Sequence, residues 1–190
     1  VDGRMIEITN EQIERVNLLL GDLHGAPNRV LFNVINRALG TVRSQSGKEI
    51  RQTYNIKQGD ITANQNMKMK RATAGDLVGS IEFAGTVIPL KRFKVSPSAP
   101  AQKTVSVSVL KAEGGKRLEH AFVANLGKYG VGVFERMTRR RDSSEQLFGP
   151  SPAHMMANEN VLDKVEEAAQ DTIDKRVEHE ITRILNGYGR

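Results

Sequence analysis

Apolar residues recur every three or four positions in three stretches of the chain, the pattern of a helix that buries one face. The first stretch lies within residues 1–24, where Thr9 and Gln12 have the spacing of a capping box. The second covers roughly residues 27–53, and the third covers 159–187. The pattern therefore predicts two N-terminal helices and one long C-terminal helix.

Between the second and third helices the period of the pattern changes from helical to two, which indicates strands that are buried on one face. The spacers between successive alternating stretches are too short for a crossover helix, so the strands should pair antiparallel. The predicted strands lie at residues 77–83, 87–90, 104–110, 120–124 and 131–136, preceded by a short helix within 57–66. The prediction is a single α+β domain over residues 1–190, with N-terminal helices, a central antiparallel β-sheet meander and a long C-terminal helix packed on the sheet.

Residues 138–158 show neither period and include two prolines close together, which predicts an extended loop without core residues. A charged loop beside strand ends is suited to contact another molecule. The candidate subunit or partner interface consists of Arg139, Arg140, Arg141, Phe148, Pro150 and Pro152.

Charge is distributed unevenly along this chain of 190 residues, which has a net charge of +6. Residues 151–190 contain five basic and eight acidic side chains, so residues 1–150 carry a net charge of +9. A basic body favours nucleic acid or an acidic protein partner, and pairing of basic body with acidic tail between neighbouring copies explains the same pattern equally well. The candidate basic surface consists of Arg37, Arg43, Lys68, Lys70, Arg71, Lys91 and Arg92.

Catalytic and metal-binding signatures are weak in this sequence. The absence of cysteine excludes thiolate metal sites and cysteine nucleophiles. The four histidines lack zinc-site spacing, and only the adjacent Glu119 and His120 suggest an acid/base pair, without an obvious nucleophile. We therefore predict neither enzymatic activity nor a cofactor or metal. No stretch approaches the about 20 apolar residues of a membrane span, so no membrane partner is expected.

Several short motifs occur in an order that carries a family resemblance. They are Val34-Ile35-Asn36-Arg37-Ala38, Lys70-Arg71-Ala72-Thr73, Ile88-Pro89-Leu90-Lys91-Arg92-Phe93, His120-Ala121-Phe122-Val123-Ala124, Gly132-Val133-Phe134-Glu135-Arg136 and Phe148-Gly149-Pro150-Ser151-Pro152. This ordered set, within about residues 27–187, resembles the minor tail protein Z family of lambda-like tailed bacteriophages. It is also similar to the wider group of phage tail-completion and head–tail neck proteins.

The resemblance implies a structural protein of the virion rather than an enzyme. Such proteins assemble in the host cytoplasm, complete the tail at its head-proximal end, allow head–tail joining and position the end of the genome. The implied partners are further copies of the chain in a ring, usually hexameric, together with a tail terminator or tail tube and head-completion or connector proteins. Nonspecific contact with DNA in the channel is also implied. The alternative from charge alone is a basic nucleic-acid-binding module.

Overall fold

The computed structural model describes residues 7–62, 66–101, 104–127, 130–138 and 143–187, and it confirms the predicted α+β fold class. The helices are α1 (Asn10–Leu20), α2 (Ala26–Thr53), α3 (Gln58–Thr62), α4 (Pro152–Met156) and α5 (Glu159–Leu185), with a 3-10 turn at Leu90–Arg92. The strands are β1 (Met67–Lys70), β2 (Ser80–Phe83), β3 (Ile88–Pro89), β4 (Lys94–Ser96), β5 (Val105–Ser108), β6 (Lys116–Leu118), β7 (Ala121–Asn125), β8 (Val131–Arg136), β9 (Ser144–Gln146) and β10 (Phe148–Gly149).

Helix α1 begins with the capping box that the sequence predicts. The backbone N–H of Gln12 donates to Oγ1 of Thr9 at 3.3 Å, and the backbone N–H of Thr9 donates to Oε1 of Gln12 at 3.1 Å. These two bonds satisfy amide groups that the first turn of a helix leaves without intrahelical partners. From this start, α1 buries Val16 and Leu20, two of the apolar residues in the predicted stripe.

The chain divides into two compact units, each assembled from separate stretches of sequence. The first unit comprises Val1–Ser46, Lys68–Glu82 and Leu162–Arg190, and the second comprises Gly47–Met67 and Phe83–Val161. Helices α2 and α5 each contribute residues to both units. Neither unit therefore corresponds to one continuous segment of the sequence.

The core of the first unit is formed by helices. Ile173, Val177 and Ile181 of α5 lie in one apolar cluster with buried residues of α1 and of the first half of α2. The residues that α1 and α2 contribute to this cluster are Val16, Leu20, Ala26, Val30, Leu31, Val34 and Ala38. The sequence pattern predicted that the long C-terminal helix packs on the sheet, but the second half of α5 packs on helices. Amphipathic stripes on three helices can bury one another without a sheet.

The second unit contains several small antiparallel sheets. Strands β4, β5 and β6 form one three-stranded sheet, β7, β8 and β9 form another, and β3 pairs with β10. The predicted antiparallel pairing is confirmed, but the strands do not form one continuous meander. Strand β3 includes Pro89, which lacks a backbone N–H and therefore limits how far a ladder can extend through it.

The stretch 138–158 differs from the predicted extended loop. Its described part contains β9, β10 and α4, and α4 buries Met155 and Met156. The hydroxyl of Ser151 caps α4 by accepting a hydrogen bond from the backbone N–H of His154 at 3.2 Å. Elements of two to five residues are too short to display a period, which is why the hydrophobic pattern did not reveal them.

Candidate functional site

The segment that follows β9 forms a short apolar ribbon with β3. Phe148 pairs with Pro89, and Gly149 pairs with Ile88. Because side chains alternate along a strand, Phe148 and Pro89 share one face, whereas Ile88 lies on the opposite face and is buried. Val87 and Pro150 adjoin the two strands, one residue beyond the paired positions.

This outer face is both apolar and accessible to solvent. Phe148 retains 47% of its accessible surface and Val87 retains 51%, while Pro89 and Pro150 are half-buried. We call these four residues the apolar ribbon. Exposed apolar side chains that lie together on a strand ladder are candidates for an interaction surface.

The predicted interface residues have different environments. Phe148 and Pro150 belong to the apolar ribbon, but Pro152 is buried at the start of α4 and is not available to a partner. Its burial corrects the prediction that the whole segment lacks core residues. The remaining predicted interface residues, Arg139, Arg140 and Arg141, lie outside the described residues.

Five residues of the predicted basic surface lie in the first unit. They are Arg37 and Arg43 on α2, Lys68 and Lys70 on β1, and Arg71 after β1, and all five are exposed. Nζ of Lys70 lies 2.8 Å from Oδ2 of Asp76, so one of these positive charges is paired within the chain. The other four form no ion pair with another described residue.

The pair between Lys70 and Asp76 predicts a measurable titration shift. The hydrogen bond from Lys70, the backbone N–H of Val78 and the charge of Lys70 hold the pKa of Asp76 below its ordinary value of 3.8. A depressed folded-state pKa means that the pair is complete above 3.8 and is lost as the pH falls through the lower folded-state value. Carboxyl NMR titration of the Lys70→Gln variant should show the pKa of Asp76 rising. Lys68→Gln, its matched control on β1, should leave it unchanged, and an unshifted Asp76 in Lys70→Gln would contradict the assignment.

The two remaining members of the predicted basic surface lie in the second unit. Nζ of Lys91 donates a hydrogen bond to the carbonyl oxygen of Ser98, and a guanidinium nitrogen of Arg92 lies 3.5 Å from a carboxylate oxygen of Asp60. Both cations thus have partners within the chain. The seven predicted basic residues are therefore distributed over two units. Three of them have partners within the chain, and the other four form no ion pair with a described residue.

Several acidic side chains of the C-terminal helix also have partners within the chain. Four of its acidic residues bind side chains of α1 or of α5 itself, in the pairs Lys175–Asp171, Gln12–Asp174, Arg15–Glu178 and Arg183–Glu180. Asn33 of α2 also donates to Glu180, at 3.3 Å. These contacts weaken the interpretation that the acidic helix mainly pairs with the basic body of a neighbouring copy.

A polar cleft in the second unit was not identified from the sequence. It lies over the outer face of the sheet β4–β5–β6, is open to solvent and has a volume of about 530 Å³. Its lining consists of Asn55, Lys94, Ser96, Ser106, Ser108, Lys111, Glu113, Gly114 and Gly115, and we call it the serine–lysine cleft. The alternation along residues 104–110 predicted a strand that is buried on one face, but it could not show which loop lies over the other face.

Glu119 and His120 are exposed in the turn before β7. Across the described ranges, no group of three or more His, Asp or Glu side chains is placed to hold a metal ion. A search of the same ranges for a helix with the length and hydropathy of a membrane span found none.

Comparisons with protein-family models, with curated proteins and with solved structures found no match to this chain.

Proposed function

We propose that this protein is a structural tail-completion or neck protein of a tailed bacteriophage. Copies of the chain would form a ring at the head-proximal end of the tail, where the ring enables head–tail joining and positions the end of the genome. The ordered motifs that resemble the minor tail protein Z family support the proposal, as does an α+β chain of helices and small sheets.

The observation that carries this proposal is the exposure of the apolar ribbon. Its Phe148 and Pro150 lie in the last of the motifs that resemble the family, and its Pro89 lies in another of them. A ring requires two different surfaces on each copy that fit one another head to tail. An apolar face held on a paired two-stranded ladder is suited to be one of the two surfaces, because the ladder positions it before assembly.

The direct test is quantitative mass spectrometry of purified phage particles and separated tails. The proposal expects the protein in mature tails at a low, fixed ratio to the tail-tube protein, and imaging would then place it at the head-proximal end. Absence of the protein from particles that are otherwise complete would refute it.

The apolar ribbon supplies a sharper prediction about assembly. Phe148→Ser should greatly reduce incorporation of the protein into tails, because it removes the largest exposed apolar group of the ribbon while leaving the fold intact. Leu126→Ser is the matched control, since Leu126 is 40% exposed in the same unit but lies outside the ribbon. The amount of each variant in purified tails is the measurement, with circular dichroism to verify folding. Equal incorporation of the two variants would exclude the ribbon as an assembly surface.

A basic nucleic-acid-binding module is the second candidate function. The four exposed cations of the first unit that pair with no described residue, Arg37, Arg43, Lys68 and Arg71, favour it. Binding through phosphate neutralisation should weaken steeply with salt, with log K linear in log salt concentration. Micromolar or tighter DNA binding at physiological salt, together with absence from particles, would favour this second function over the first.

A further inference from the structure

We propose that the serine–lysine cleft binds a phosphate group of the kind carried by a nucleic-acid backbone. The inference rests on residues of the second unit alone and does not depend on the tail-completion proposal. It also differs from the predicted basic surface, because none of the seven residues of that surface lines the cleft.

Four side chains of the cleft carry hydrogen-bond donors that have no partner among the described residues. The ammonium groups of Lys94 and Lys111 form no ion pair with another described residue. Ser96 and Ser106 are cross-strand partners on β4 and β5, and neither hydroxyl bonds to another described residue. Lysine, serine and asparagine side chains and backbone N–H groups are the usual donors to phosphate oxygens in nucleic-acid complexes.

The walls of the cleft are held in place by hydrogen bonds beneath its surface. Nδ2 of Asn55 lies 2.9 Å from Oγ of Ser108, and that hydroxyl in turn donates to the carbonyl oxygen of Leu110 at 3.0 Å. The backbone N–H of Asn55 also donates to the carbonyl oxygen of Val109 at 2.8 Å. The loop that carries Lys111 is thereby fixed before any ligand arrives, which reduces the ordering cost of binding.

Gly115 brings the far end of this loop into close contact with the serine face. A Cβ atom at this position would lie 2.4 Å from Oγ of Ser106, a distance that no ordinary contact allows. Glycine at this position lets the backbone approach the Ser106 hydroxyl without that hydroxyl having to move. Glycine is common where the backbone approaches a ligand closely.

The charge of the cleft also favours an anion. The lining contains two lysines and one carboxylate, that of Glu113, and so carries one net positive charge. Arg117 pairs with Ser106 in the register of β5 and β6, so it lies on the same face of the sheet and extends the positive surface beyond the cleft. The open volume exceeds what a single phosphate needs, which permits entry of a phosphate that is attached to a longer chain.

The first arm of the test uses inorganic phosphate, titrated into the full-length protein at constant ionic strength against chloride. Backbone NMR shifts should concentrate at cleft residues such as Ser106 and Gly115. The double variant Lys94→Gln/Lys111→Gln should bind phosphate at least about tenfold more weakly, since it removes both charge-assisted donors. The control Lys48→Gln/Lys57→Gln removes the same charge from two exposed lysines of the second unit that do not line the cleft.

The second arm measures binding of a short labelled DNA duplex by fluorescence anisotropy. Loss of two phosphate contacts should make the slope of log K against log salt less negative by about 1.8, so the double variant should lose about tenfold less affinity than the wild type between about 50 and about 200 mM salt. A change in both arms assigns the cleft to a nucleic-acid phosphate, and a change with inorganic phosphate alone assigns it to free phosphate. If the double variant and its control behave alike in both arms, or if neither probe binds the wild type, the proposal is wrong.

Discussion

Replacing Phe134 with alanine should lower the free energy of unfolding by about 3–5 kcal/mol, the usual cost of truncating a fully buried phenylalanine. Phe134 is 1% exposed and is the largest of the fully buried side chains among the described residues. It lies on β8, the central strand of its sheet, directly opposite Phe122, with the two ring centroids 6.2 Å apart. Truncation leaves a cavity that a strand paired on both sides cannot close by moving inward.

Urea denaturation followed by circular dichroism would measure this loss. The matched control is Phe148→Ala, which deletes the same atoms from a ring that is 47% exposed and should therefore cost less than about 1 kcal/mol. A cost of less than about 1 kcal/mol for Phe134→Ala as well would contradict its place in the core of the second unit. The pair also separates the two roles that phenylalanine has in this chain, because Phe134 supports the fold and the proposal assigns Phe148 to assembly.

The helices and the positions of several strands were predictable because apolar residues recur in them at a regular spacing over many positions. The capping box of Thr9 and Gln12 is a local signal, and the stripe on the long C-terminal helix extends over seven turns. The alternation of Val105 and Val107 with serines likewise predicted β5 with its buried and outer faces. In each case the elements could be identified without knowing what packs against them.

What the sequence could not supply was the partner of each element. The apolar stripe of α5 is equally compatible with a sheet or with helices, and only the three-dimensional structure shows that Ile173, Val177 and Ile181 pack on α1 and α2. The same ambiguity hid the burial of Pro152, since one proline in an irregular segment carries no period. Partner choice depends on contacts between residues that are distant in sequence.

The candidate sites illustrate the same distinction. Phe148 and Pro150 were predicted as interface residues from an irregular, proline-rich segment, and the face that Phe148 shares with Pro89 became visible only with the pairing of β10 and β3. The serine–lysine cleft was missed because Asn55, Lys94 and Lys111 are far apart in sequence. A site that is formed by one strand face and the loop over it produces no recognisable motif in the sequence.

Gly85→Ala should destabilise the second unit by about 2–5 kcal/mol, because it combines backbone strain of about 1–2 kcal/mol with a steric clash of about 1–3 kcal/mol. The backbone of Gly85 has φ of 111°, where a residue with a Cβ atom is strained. A Cβ atom there would also lie 2.4 Å from Oδ1 of Asn66. Asn66 is buried and is held by two hydrogen bonds, so moving it is costly. Its Nδ2 donates to the backbone carbonyl oxygen of Asp60 at 2.9 Å, and its backbone carbonyl oxygen accepts from the N–H of Ala84 at 3.0 Å.

Gly59→Ala is the control for this substitution. It should raise the free energy of unfolding slightly or leave it nearly unchanged. Gly59 lies in α3 with nothing within 4 Å of an added Cβ atom, so alanine there gains up to about 1 kcal/mol from its higher helix propensity. Both glycines belong to the second unit, so urea denaturation reports on the same structure in both variants. A Gly85→Ala protein as stable as the wild type would contradict the predicted strain and clash at this turn. A large loss in Gly85→Ala alone would show that this turn does not accommodate a Cβ atom at position 85.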